Sequence, residues 1–181
     1  MEISPKDVLK FWFETIEPKS WWVKDVAFDQ SIEEQFGETL QQAIRGELYH
    51  WRETAHGRLA EIIVLDQFSR NIFRDTAKAF AADGMALVLA QQAISVGAQL
   101  ELLDNQKSFL YMPFMHSESL LIHQQALQLF SEPGLEGNID FEKRHMVIIE
   151  QFGRYPHRNN ILGRESTTEE IEFLSQPGSS F

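Results

Sequence analysis

The stretch that decides the fold is Arg58-Leu59-Ala60-Glu61-Ile62-Ile63-Val64-Leu65-Asp66-Gln67-Phe68-Ser69-Arg70-Asn71-Ile72-Phe73. Its apolar residues Leu59, Ile62, Ile63, Val64, Leu65, Phe68, Ile72 and Phe73 fall on nearly every side of a helix. A helix that is apolar all round is a buried, central one, so other helices are expected to surround it. Inside the stretch stand Asp66 and Arg70, four residues apart and therefore on the same side. Asp66 shares its stripe with Leu59, Ile62, Ile63 and Phe73. A carboxylate there must be paired or hydrogen-bonded, because burying it alone is costly.

Working towards the N-terminus, Ser4 reads as an N-cap with Pro5 in the first helical position, and Pro18 ends that helix. A second helix is expected from about Asp25 to Arg45, with Ile32, Phe36, Leu40 and Ala43 at helical spacing and Gly46 as the stop. Towards the C-terminus, an alanine-rich helix is expected over 77–96, where small residues allow close packing, and Gly97 ends it. A short helix over 105–112 should meet Pro113, and a longer one should then run to Phe130. A helix over 140–152 is capped by Gly153. An irregular stretch from Arg154 to Arg164 follows. Ser166-Thr167-Thr168-Glu169 then reads as a capping box opening a last helix to about Leu174. No alternating strand pattern of useful length is present. The fold class is therefore all-α, antiparallel helical hairpins in an array or irregular bundle. Residues 1–181 read as one helical domain, with 176–181 as a frayed tail.

Composition narrows the function classes. The chain has 181 residues, 14 of them Phe, and a hydrophobic fraction of 43%, enough for a real core. It has no cysteine, which excludes disulfides, thiolate nucleophiles and cysteine metal sites and fits a reducing, cytoplasmic setting. No apolar run reaches the roughly 18 residues needed to cross a bilayer, and Met1-Glu2-Ile3-Ser4-Pro5 has no signal core. Neither a membrane nor, given the formal net charge of -11, a nucleic acid is an expected partner.

Three groups of residues are candidates for chemistry. The first is Asp66 and Arg70, either an internal ion pair or two walls of a polar cavity. Glu150 and Arg154 repeat the same spacing, and Ile149-Glu150-Gln151-Phe152-Gly153-Arg154 echoes Leu65-Asp66-Gln67-Phe68-Ser69-Arg70. The second is Met115-His116-Ser117-Glu118. His116 titrates near neutral pH and is suited to general acid–base work, with Glu118 close by. His116 and His123 lie seven apart, about 10.5 Å along a helix, too far to share one ion, and the His-Glu-x-x-His pattern is absent. No metal and no cofactor are expected. The third is Gly153-Arg154-Tyr155-Pro156-His157-Arg158-Asn159-Asn160 with Leu162-Gly163-Arg164, three arginines, one histidine and two asparagines with no acid among them. Arginine forks bind carboxylate and phosphate oxygens in pairs, and the helix opening at Ser166 would add N–H donors. The same arginines would equally serve to cap helix ends and pair with Asp66, Glu118 and Glu150.

Asp66-Gln67-Phe68-Ser69-Arg70-Asn71, His116-Ser117-Glu118 and Phe152-Gly153-Arg154-Tyr155-Pro156-His157-Arg158-Asn159, with Leu162-Gly163-Arg164 and Ser166-Thr167, together resemble a bacterial family known as domain of unknown function 924. The resemblance spans nearly the whole chain. It implies an all-helical fold like tetratricopeptide helical hairpins, a label that rests on the resemblance and not on a legible consensus. It carries over no catalytic residue, because the family has none assigned.

Two functional readings follow. In the first, a small anionic molecule binds between helices and undergoes hydrolase-type chemistry. Arg70, Arg154, Arg158 and Arg164 hold it, Asn71 and Asn160 orient it, and His116 or His157 moves protons with Asp66 or Glu118 behind the imidazole. In the second, stacked helices form a scaffold for a peptide or protein partner, with Trp21, Trp22 and Tyr49 as anchors and the polar motifs purely structural.

Overall fold

The structure, a computed structural model, describes residues 3–180, and these are all-helical, with no strand among them. Phe181, part of the tail expected to fray, lies outside the described residues, as do Met1 and Glu2.

The quoted stretch is the centre of the molecule. Helix α1 (Pro5–Lys10) starts where Ser4 and Asp7 satisfy each other's polar groups, and it runs into a π turn, Phe11–Thr15. Helix α2 (Val26–Ile44) opens on Asp25, whose carboxylate accepts from the Ala27 and Phe28 N–H groups. Helix α3 (Ala55–Ile63) opens on Thr54, passes into a second π turn at Val64–Phe68, and resumes as α4 (Ser69–Ile72). Leu59, Ala60, Ile62, Ile63, Val64, Leu65 and Phe68 are completely buried. Helix α1 packs on α3, and α2 packs on the π turn and α4. Phe68 meets Trp12, Phe11 and Phe36 through ring contacts of 4.9–6.2 Å.

The far side of α3 is covered by α5 (Asp83–Ser95) and α6 (Asp104–Met115). Ala86, Ala90 and Ala93 are the buried residues of α5, consistent with the close approach that small residues allow. Helices α7 (Leu120–Leu129) and α8 (Glu136–Phe152) pack on each other and on α6. Helix α9 (Thr168–Leu174) contacts the turn at Pro156–Arg158, where Ile148, Ile149 and Tyr155 form a small separate core with Phe152 and Phe173.

Four local expectations need correction. Pro113 does not end its helix: α6 continues to Met115 with the proline inside it, and the next helix begins only at Leu120. Proline removes one N–H and crowds one carbonyl, but this turn is buried from Ser108 to Met115, so packing holds it. The alanine-rich segment is broken: a 3-10 turn, Ala77–Phe80, precedes α5, so Asp83 heads a helix instead of lying within one. The last capping box is one residue later than expected, with Thr167 and Glu170 as the reciprocal pair. Finally, Glu150 and Arg154 do not pair. Gly153 takes a positive φ of 67° and turns the chain out of α8, which sends Arg154 to Glu170 while Glu150 stays exposed.

Candidate functional site

One polar chain runs through the molecule from its centre to a cavity. It begins at Asp66, 1% exposed in the middle of the Val64–Phe68 π turn. π turns within α-helices recur at functional sites. Asp66 Oδ1 lies 2.7 Å from His116 Nδ1 and accepts from Arg70 Nη1 at 3.2 Å, while Oδ2 accepts from Gln67 Nε2 at 2.5 Å. Arg70 also donates to the Asp66 carbonyl and, through both terminal nitrogens, to Asp83 at 2.9 and 3.0 Å. Arg158 closes the chain. It donates to Asp83 Oδ2 at 3.3 Å and to the His116 carbonyl at 3.1 Å, and its guanidinium lies between the Phe80 and Tyr155 rings at 4.4 and 4.6 Å.

Asp83, His116 and Arg158 then line a cavity of about 300 Å³ together with Phe80, Leu87, Pro113, Ser117, Glu118 and Leu162. Its apolar wall comes from the Ala77–Phe80 turn, α5 and Pro113, and its polar end from the α6–α7 connection and the loop after Tyr155. That is the usual composition of a small-molecule site. A larger concavity of about 440 Å³, at Ile3, Ser4, Pro5, His50, Trp51, Glu53 and Thr54, has no arginine in its lining and none of the sequence motifs.

The electrostatics separate the roles. Burial pushes the Asp66 carboxyl up, but the Arg70 guanidinium beside it and the hydrogen bonds it accepts from His116 and Gln67 outweigh that, so Asp66 is held below the usual carboxylate range and is ionised. Burial and the Arg70 charge pull His116 below its ordinary value, against the pull of Asp66. The imidazole is therefore neutral at pH 7, its Nδ1–H donates to Asp66, and Nε2 is the nitrogen left for the cavity. Burial and Arg70 likewise lower Arg158, though a guanidinium stays protonated.

The structure gathers only some of the residues singled out in the sequence. Asp66, Arg70, His116, Glu118 and Arg158 meet in the chain or the cavity wall. Glu118 does not orient His116. It is clamped by both terminal nitrogens of Arg164 at 2.6 and 2.9 Å and accepts from the Tyr155 N–H. Arg164 also reaches Asn159 and the Tyr155 carbonyl, and Arg154 is held by Glu170 and the Glu165 carbonyl. These two arginines bind the loop to α9 and α6–α7 and do not line the cavity. Asn71 donates to Asp29, a residue also gripped by Arg74, and Asn160 is exposed, so neither faces the cavity lining. His157 packs against the Tyr155 ring at 5.6 Å, and burial takes it down to about 4. Among the described residues no group of three His, Asp or Glu could hold a metal ion.

Sequence reasoning missed Asp83 and Tyr155. Asp83-Gly84 after two alanines is a helix-start signal that the surrounding alanines concealed. Nothing in the spacing distinguished Tyr155 from its basic neighbours.

Comparison with known proteins agrees with the fold. Residues 8–178 match the model of a family described as bacterial proteins of unknown function, DUF924. A solved structure, the protein of unknown function ATU0120 from Agrobacterium tumefaciens, is 38% identical with a TM-score of 0.86. That match covers 94% of this chain and 96% of that one. A search of curated proteins returned no significant match.

Proposed function

This chain belongs to the DUF924 family, and from that premise, which names no reaction, we propose that the cavity beside His116 binds a small molecule with an anionic group and supports hydrolase-type, general-base chemistry on it. The observation that carries this reading is the position of His116. Its Nδ1 is fixed on a buried, ionised Asp66 while the ring lines the cavity. That pairing sets the tautomer and leaves Nε2 with a lone pair, the arrangement a general base needs. Arg158 supplies the anion contact, because it alone of the four arginine candidates lines the cavity. Its guanidinium plane is fixed by two rings, so little ordering is left for binding to complete. A ligand of about ten water volumes fits the space.

The test is a thermal-shift screen against small carboxylated and phosphorylated compounds, run on the wild type and on His116→Asn. The asparagine amide stands where Nδ1–H stands and keeps a donor for Asp66, but it removes Nε2. A compound present at 100 times its Kd stabilises the wild type by about 2.7 kcal/mol, and the variant is expected to lose most of that shift. Equal shifts in both proteins would separate His116 from ligand binding, and turnover of a bound compound that persists in the variant would end the general-base reading.

A second reading, a tetratricopeptide-like scaffold for a peptide or protein partner, is favoured by one observation: Trp22 and Tyr49 are 64% and 68% exposed. Trp21, by contrast, is half-buried and donates to the Trp12 carbonyl, so it is not available as an anchor.

A further inference from the structure

The C-terminal carbonyls of a helix have no intrahelical donor and need partners from elsewhere. At the end of α6 three successive carbonyls, Met115, His116 and Ser117, each accept a side-chain hydrogen bond. Tyr155 Oη donates to Met115 at 2.5 Å, Arg158 Nη2 to His116 at 3.1 Å, and His123 Nε2 to Ser117 at 2.8 Å. A carbonyl only accepts, so His123 Nε2 carries a proton and Tyr155 Oη gives its own to Met115. Tyr155 Oη, 3.2 Å from the same His123 nitrogen, accepts from it in turn. Behind His123, Glu142 Oε1 lies 2.7 Å from Nδ1, with both side chains completely buried. The fully buried Tyr155 also supports Arg158 with its ring and Glu118 with its N–H. Through its hydroxyl, ring and backbone N–H, Tyr155 thus touches the segment carrying His116 and two more residues of the cavity wall.

We infer that Tyr155 is a positioning residue for the proposed site: through its hydroxyl, backed by His123 and Glu142, it fixes the Met115–Ser117 backbone so that His116 stays on Asp66 with its ring against the cavity. This rests on the reading of His116 as the working group. A hydroxyl that merely filled space would contribute to stability and nothing else. A hydroxyl that positions His116 must alter the behaviour of that imidazole, although its own bond is to the carbonyl of the preceding residue, Met115.

The experiment compares Tyr155→Phe with Tyr111→Phe by NMR titration of the His116 ring. Tyr111 is the control because it too is completely buried, and its hydroxyl donates to Glu132 at 3.0 Å, away from the cavity lining. The titratable and charged groups that face His116 are Asp66, Arg70, Asp83, His145 and Arg158, and neither substitution removes any of them. Tyr155→Phe should let the segment loosen and the ring hydrate, raising the His116 pKa towards its ordinary value. Tyr111→Phe should leave it unchanged while lowering the melting temperature comparably. An unchanged His116 titration in both variants overturns the inference and makes the Tyr155 hydroxyl structural.

If Tyr155→Phe does not fold, His123→Asn leaves an amide where Nδ1 faces Glu142 and removes the Nε2–H that serves the Ser117 carbonyl and Tyr155 Oη. A raised His116 pKa in that variant supports the clamp, and an unchanged one overturns it. The titration needs no ligand, so its failure is separable from that of the proposed function. A shifted pKa with no ligand found would leave the clamp standing and the ligand reading unsupported.

Discussion

Asp66 is the residue on which the site depends, and its demands were legible from the sequence. A carboxylate on the apolar stripe of a central helix must have partners, and Arg70 four residues on is one of them. The other partner was not legible. His116 lies fifty positions away, and no local rule joins a helix centre to the end of another helix. Replacing Asp66 by Asn removes the charge that Arg70 and the imidazole Nδ1–H share. Arg70 retains both bonds to Asp83, so the loss of stability should be on the order of 3 kcal/mol, at the lower end for a broken buried pair. Urea unfolding of Asp66→Asn checks this. A variant as stable as the wild type would mean that Asp66 contributes function at no structural cost.

At the scale of elements, the segments with strong period and good caps were read closely. Helix α2 begins and ends within a residue of the expected bounds because Asp25 and Gly46 mark it with local chemistry. What failed was every boundary set by tertiary packing. Pro113 reads as a stop, yet buried neighbours on both sides carry α6 past it to Met115, with His116 as its cap. That extra turn matters, because it places His116 at the helix end, where its carbonyl meets Arg158 and its ring meets Asp66. The π turn at Val64–Phe68 was equally invisible, since an extra residue in one turn leaves the apolar pattern of an all-round buried helix unchanged. The basic loop stands out in the sequence as a group of residues, but the sequence does not separate their roles. Two of its arginines are tied to Glu118 and Glu170, and only Arg158 reaches the cavity. Acids supplied by other elements decide which arginine is spent on packing, and spacing along the loop carries no trace of them.

The whole molecule should record its buried imidazoles in its response to acid. Burial lowers His116 and takes His145 and His157 down to about 3 and about 4. Unfolded, each binds a proton near pH 6.5. The unfolded state therefore takes up protons that the folded state refuses, so stability is full above 6.5 and falls as the pH drops towards 4. Glu142, raised by burial, acts in the opposite sense, contributing below its unfolded value near 4.5 and losing that contribution as the pH rises. Unfolding free energies at pH 8, 6 and 4.5 should show a loss of several kcal/mol across the lower interval, whereas a flat profile would contradict the neutral, buried assignment of these rings. The most direct test of the central claim is the state of one ring, read by ¹⁵N NMR titration of His116 in the wild-type protein. The account predicts a neutral imidazole at pH 7 protonated on Nδ1, with a pKa below the ordinary 6.5. A proton on Nε2 at neutral pH, or a pKa at or above 6.5, would contradict it and remove the base from the cavity.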